Sequence, residues 1–220
     1  DYYAQISSLD DQLGRLLDRL DALGIADDTV VVFTSDHGDM MWSQGLLYKC
    51  VPFEESVQAP LIVRYPRGLP AGRPCDALIS SADLVPTLGG LAGWDCGSGM
   101  EGVDCSAVLR GDPGAPRQES LLLTFYHRYV FRPDFPVPEW RGIRTERYTY
   151  AETRDRKPWM LFDNERDPYQ MENLAGAASA AALRDRLHGL LSSHLGKWGD
   201  PFLSGAGMAR HYGIELGYEV

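Results

Sequence analysis

Residues 29–39, TVVVFTSDHGD, hold the first chemistry legible in this chain. The apolar and β-branched start of the run reads as a buried strand. Directly after it, Ser35, Asp36, His37, Gly38 and Asp39 set a carboxylate beside an imidazole at a glycine turn. In an open α/β sheet, reactions take place in the crevice at the carboxyl ends of the strands. An Asp-His pair at that point offers one oxygen and one nitrogen to a divalent metal. Taken alone, the two residues suit a cap and an ordinary turn equally well. A dozen residues on, Lys49 adds a cation that can meet an anionic substrate. Glu54 and Glu55 invite an acid/base role, but their place before a short apolar stretch suits the first turn of a helix, whose positive end they favour.

These groups need elements to hold them. Ile6, Leu9, Leu13, Leu16, Leu17, Leu20 and Leu23 recur at helical spacing, with charged residues between them. They predict an amphipathic helix stopped by Gly24, with its apolar stripe in the core. Strands are expected at 29–35 and 61–65, with an active-site loop at 36–53 between them. A helix begins near Asp83, which serves as its N-cap, and Pro86 falls in the first turn, where a missing N–H costs little. Strand and helix in alternation predict a largely parallel sheet with helices on its faces.

Gly, Asp, Pro and Ser dominate between about Trp94 and Arg117 and mark a surface connection. Beyond it, 120–127, 140–150 and 157–163 are rich in aromatic and β-branched residues, and turn signals between them predict an antiparallel sheet. Leu183, Leu187, Leu190, Leu191 and Leu195 predict a final amphipathic helix; the tail from Gly199 shows no usable period.

In order along the chain, these stretches resemble the sulfatase family of the alkaline phosphatase superfamily. The resemblance is carried by SDHGD at 35–39, Gly45-Leu46 before Lys49, Phe53-Glu54-Glu55-Ser56 and APLIVRYPRG at 59–68. It continues through SSADLVPTLGGLAG at 80–93, EGVD at 101–104, WRGIRTERYTY at 140–150 and WMLFDNERDPYQMENLA at 159–175. It implies an α/β fold: the C-terminal part of an alkaline-phosphatase-like α/β sandwich, then a smaller α+β subdomain with an antiparallel sheet. The expected boundaries are 1–117 for the catalytic part and 118–220 for the subdomain.

The implied activity is metal-dependent hydrolysis of a sulfate ester. Asp36 and His37 then correspond to metal ligands, and Lys49 to the catalytic lysine that also contacts the sulfate. The implied cofactor is one divalent cation, calcium first, with manganese or magnesium as alternatives. The nucleophile of the family is an aldehyde hydrate made from Cys or Ser in a C/S-x-P-x-R motif, and no such motif occurs here. Cys50 is followed by Val51-Pro52-Phe53-Glu54, and Cys75 by Asp76. The paired aspartates that complete the family's metal shell normally precede that nucleophile. Gln44 stands where many relatives carry a His, so no proton donor for the leaving group is implied there. This chain alone is therefore expected to bind metal weakly and to be inactive until joined to the N-terminal portion of the same domain. In the second unit, Arg141, Arg144, His127 and Trp140 are candidates for the substrate pocket, because anionic or sugar substrates favour Arg and aromatic contacts.

Two other readings fit the same residues: a phosphonate or phosphodiester hydrolase on the same scaffold, and a truncated non-catalytic domain or pseudoenzyme. Composition narrows the classes further. The chain has 220 residues, 44% of them hydrophobic, enough for one sizeable core or two small ones. A net charge of −10 argues against nucleic-acid binding through a basic surface. No apolar run reaches the length of a membrane span. The expected partner is a sulfated small molecule or glycan. Cys50, Cys75, Cys96 and Cys105 lack metal-ligand spacing and are expected as free thiols, with a Cys96–Cys105 disulfide as the alternative.

Overall fold

The computed structural model describes residues 2–127, 129–132 and 135–215. In chain order the elements are α1 (Tyr2–Ala22), β1 (Val31–Thr34), α2 (Glu54–Val57), β2 (Leu61–Arg64), α3 (Leu84–Ala92) and α4 (Ser106–Arg110). There follow β3 (Ser120–Phe125), β4 (Tyr129–Arg132), β5 (Phe135–Val137), β6 (Trp140–Thr145), β7 (Tyr148–Thr153), β8 (Pro158–Asp163), α5 (Ala181–Trp198) and α6 (Gly205–His211). They form two compact units, one of Asp1–Thr34 with Pro60–Arg117, the other of Ser35–Ala59 with Gln118–Val220. The loop after β1, expected with the first domain, thus belongs to the same compact unit as the C-terminal sheet.

In the first unit β1 and β2 pair antiparallel, Val31 opposite Arg64 and Thr34 opposite Leu61. This corrects the expected parallel arrangement: among the described residues the unit holds only this one ladder. Asp83 precedes α3 as expected, but its side chain does not cap that helix; it is the third residue of a capping box opened by Ser80 in the turn before it. Asp83 accepts from the backbone N–H and the hydroxyl of Ser80 at 2.7 and 2.9 Å, and from Val103 N–H at 2.7 Å. The Asp83 carboxylate therefore closes the turn before α3 and ties the distant Val103 loop to it. The stripe of α1 is a second correction. None of its residues is buried; Leu13, Leu17 and Leu20 are half-buried, and Ile6, Leu9 and Leu16 are exposed. The amphipathic pattern predicts a helix correctly, yet among the described residues no apolar surface covers it. Phe33 and Ile62, opposite each other in the ladder, are exposed as well.

The second unit centres on the antiparallel sheet β3-β6-β7-β8. The stretch expected as one strand at 140–150 is two, β6 and β7, joined at Glu146-Arg147. Alternation sends Trp140, Ala151, Met160 and Phe162 to one face, where they pack with Met40, Leu46, Val51 and Phe53. Ile143, Tyr150 and Leu161 go to the other face and meet Leu187, Leu191 and Leu195 of α5. The sheet is thus covered by the loop 35–59 on one side and by a helix on the other. The helix α6 had no signal in the sequence pattern.

Arg141, a candidate for substrate contact, is fully buried on the α5 face. Its Nε donates to Asp200 at 2.6 Å, and its guanidinium lies 3.9 Å from the centre of the Tyr126 ring. It is a core ion pair with no access to a ligand. All four cysteines are free thiols. No described helix is long and apolar enough to cross a membrane.

Arg141→Ala leaves Asp200 charged and buried without a partner, so the denaturation midpoint should fall by the equivalent of about 3–5 kcal/mol. A second check uses pH. Arg147 donates to both oxygens of Asp163, at 2.8 and 2.7 Å, and holds that carboxyl below the usual range. A lowered folded-state value gives stability that is present above the ordinary aspartate range and lost as pH falls through the folded value. Asp163→Asn should therefore lower stability at neutral pH and flatten its decline in acid, measured by denaturant melts from pH 7 downward.

Candidate active site

Asp36 and His37 leave the end of β1 together, as the sequence predicts. His37 Nδ1 lies 2.7 Å from the Gly38 carbonyl oxygen. A carbonyl oxygen can only accept, so Nδ1 is the donor in that contact. Nε2 in turn lies 3.3 Å from Asp36 Oδ2. Partial desolvation raises the Asp36 carboxyl, but His37 and the backbone N–H of His37, 3.0 Å away, outweigh it and hold it below the ordinary range. The turn thus places one carboxylate oxygen and one imidazole nitrogen side by side, a hard oxygen and a borderline nitrogen donor. A divalent cation at oxygen-ligand distances of roughly 2.3–2.6 Å reaches both. The pair therefore fits two neighbouring positions of a metal shell. Among the described residues no group of three or more His, Cys, Asp or Glu gathers into a fuller one.

What holds this turn is a chain of contacts into the sheet. Gly38 N–H donates to Ser56 O at 3.0 Å, and a Cβ at Gly38 would overlap the Glu55 carbonyl oxygen. Only glycine lets the turn lie this close to α2. Glu54, in the first turn of α2, accepts from Arg144 Nε and a terminal nitrogen of the same guanidinium at 2.8 and 2.9 Å. Glu54 N–H donates to Gln170 Oε1 at 2.8 Å, and Gln170 Nε2 donates to Asn164 Oδ1 at 2.8 Å. Glu54 thus serves the helix end, as expected, and clamps the loop to β6.

The other candidates take different places. Arg144, expected to touch substrate, is half-buried and spends two nitrogens on Glu54. Trp140 is buried and donates its ring N–H to Cys50 O at 2.9 Å, next to Lys49. Lys49 is exposed and forms no salt bridge among the described residues. His127 is exposed, edge-on to Phe125, and abuts Gly205 at the start of α6. No hydrogen bond or ion pair among the described residues joins it to Asp36, His37 or Lys49. Gln44 donates to Tyr169 O at 2.9 Å and approaches Met171 Sδ at 3.3 Å. An open cleft of about 420 Å³ lined by Arg154, Arg156, Asp200 and Phe202 lies at the end of α5 and contains none of these candidates. The sequence reading missed Gln170 and Asn164, polar residues in a loop whose partners lie more than a hundred positions away for Gln170.

Comparison with known proteins decides the family. Residues 43–196 match the model of the N-sulphoglucosamine sulphohydrolase C-terminal family. The chain belongs to this sulfatase family. It is 38% identical over 208 residues to an ulvan-active sulfatase of Formosa agariphila, covering 92% of this chain and 40% of that protein. A structure solved with its substrate D-glucosamine-2-N,6-O-disulfate superposes with a TM-score of 0.81 at 29% identity, over 91% of this chain and 41% of the other. The phosphonate monoester hydrolase of Agrobacterium radiobacter gives a TM-score of 0.74 at 30% identity, over 87% and 40%. This sulfatase chain thus spans about two fifths of the length of the relatives it matches. The antiparallel sheet with its covering loop is the C-terminal domain architecture of the alkaline-phosphatase-like fold.

If the clamp positions the turn, Gly38→Ala should part it from α2 and Arg144→Ala should free Glu54. Each should speed amide exchange across 36–57, and Arg144→Ala should cost about 1–3 kcal/mol in a denaturant titration.

Proposed function

We propose that this chain is the C-terminal part of a metal-dependent sulfatase that hydrolyses a sulfate ester on a sugar or other small molecule. The observation that carries the proposal is the Asp36-His37 pair at the end of β1, its imidazole nitrogen and carboxylate oxygen 3.3 Å apart, followed by an exposed lysine that forms no salt bridge among the described residues. The relatives favour a sulfated carbohydrate, since one acts on ulvan and another was solved with a disulfated glucosamine. Asp36 and His37 would hold the cation, calcium first, since a mainly hard donor set suits it. When bound, that ion supplies positive charge against the sulfate oxygens.

The residues of this chain do the rest of what is assigned to it. An ester sulfate carries one negative charge, and charge moves onto the bridging oxygen as the S–O bond breaks. Lys49, whose ammonium is assigned to that oxygen, would stabilise the transition state more than the free substrate. Arg144 acts through Glu54, setting the position of the loop, and His127 stands as an exposed donor for the substrate. The nucleophile and the remaining metal ligands are assigned to polypeptide outside this chain, in the N-terminal portion of the same domain. That portion would also cover the apolar stripe of α1. The likeness to the phosphonate monoester hydrolase supports a second reading, hydrolysis of a phosphonate or phosphodiester by the same groups.

In the complete polypeptide, Asp36→Ala and Lys49→Ala should each lower kcat/KM on an aryl sulfate by about 10²–10³-fold with an unchanged melting curve. Asp36→Ala should also weaken calcium binding in a calorimetric titration. Near-normal turnover in either variant removes that residue from the mechanism. Faster turnover of an aryl phosphonate than of the aryl sulfate favours the second reading.

A further inference from the structure

The loop between Met40 and Tyr48 closes on itself. Met40 N–H donates to Tyr48 O at 2.6 Å and Trp42 N–H to Leu46 O at 2.8 Å, while Ser43, Gly45 and Leu46 bond back within the tip. Met40 and Leu46 are buried in the core beneath. The side chains between and beside them are held out instead: Trp42 is 68% exposed and Tyr48 58%. The backbone is as unusual as the exposure. Met41, Trp42, Gln44, Tyr48 and Cys50 all have positive φ, and Trp42 sits at φ 73° and ψ 2°. That conformation is free for glycine and unfavourable for a bulky side chain. Neither backbone preference nor burial accounts for an indole here. Non-glycine residues held in such conformations cluster where a ligand is gripped.

A second loop meets the first. Gln44 bonds to Tyr169 O and Met171 Sδ, and Tyr169 and Met171 are themselves 75% and 73% exposed. Three aromatic rings and Lys49, a cation without a salt bridge among the described residues, thus belong to one pair of hydrogen-bonded loops. In a chain of net charge −10, an exposed lysine with no salt bridge among the described residues selects an anionic group by local contact.

We propose that Trp42, Tyr48 and Tyr169 form a platform for the pyranose ring of a sulfated oligosaccharide whose ester group is presented to Lys49; this rests on the sulfate-ester reading above. A pyranose has an apolar C–H face and a polar rim. Aromatic rings take up the C–H face at low entropic cost, because each has few rotatable bonds. The platform contributes affinity for the sugar, and Lys49 acts on the sulfate.

The test is Trp42→Gly in the complete polypeptide, because glycine suits the backbone and removes only the ring. Its melting temperature should equal or exceed that of the wild type. Its kcat/KM on a sulfated oligosaccharide should fall at least about tenfold, with the loss in KM, and Trp42→Phe should restore most of it. An unchanged KM in Trp42→Gly overturns the platform, as does a lower melting temperature with equal losses in kcat and KM, which makes the ring structural. Aryl sulfate turnover by the wild type tests the hydrolase reading separately. Should that fail, oligosaccharide binding followed by tryptophan emission in wild type and Trp42→Gly still decides the platform: affinity lost with the ring supports it, and equal affinity rejects it.

Discussion

The bidentate pair between Arg144 and Glu54 is the contact on which the placement of the site depends. Arg144 belongs to a central strand whose neighbours on both sides fix its position. Glu54 opens α2, Ser56 two residues on accepts the amide of Gly38, and Gly38 adjoins His37. Sheet geometry is thus passed to an imidazole through one ion pair, one short helix and one glycine. The pair is half-buried, so solvent screens it less than a surface pair, and Thr149 and Gln170 satisfy the groups around it. Net stabilisation from such pairs is modest. Their use is to select one geometry, because leaving either charge alone is expensive.

The sequence made some elements legible and hid others for identifiable reasons. The alternation in β6 to β8 and the leucine spacing of α5 report faces buried within this chain, so pattern and burial agree. The stripe of α1 obeys the same rule and predicts the helix, but a periodic pattern cannot say which polypeptide covers it. Alternating strand and helix signals predict a largely parallel sheet, whereas β1 and β2 pair antiparallel, because direction is a property of the connection and not of the element types. α6 is short and glycine-containing, and has no periodicity to detect.

The candidate residues stand out in the sequence where they are close together in it. Asp36, His37 and Lys49 lie within one loop, and their types carry the reading. Arg141 and Arg144 look alike from sequence, both arginines on one strand rich in aromatics. Three positions apart, they fall on opposite faces of the sheet: one is locked to Asp200 beneath α5 and the other to Glu54 beneath the loop. Strand parity, and not residue type, separates their roles. Gln170 was out of reach of any local pattern, because its function is to complete a turn 116 positions away.

That separation in sequence also sets a schedule. The loop bearing Asp36 and Lys49 is tied down by Arg144, 90 residues after Glu54, and by Tyr169, 125 residues after Gln44. Contacts between distant residues must meet the entropy of closing long loops before they return any stabilisation, so they form late. During synthesis the metal-like turn leaves the ribosome well before the strands that orient it. A nascent chain stopped short of residue 170 carries every candidate ligand named for it, yet lacks the turn that closes over Glu54. The loop that bears these candidates is therefore ordered only once residues 144 and 169–170 have been made.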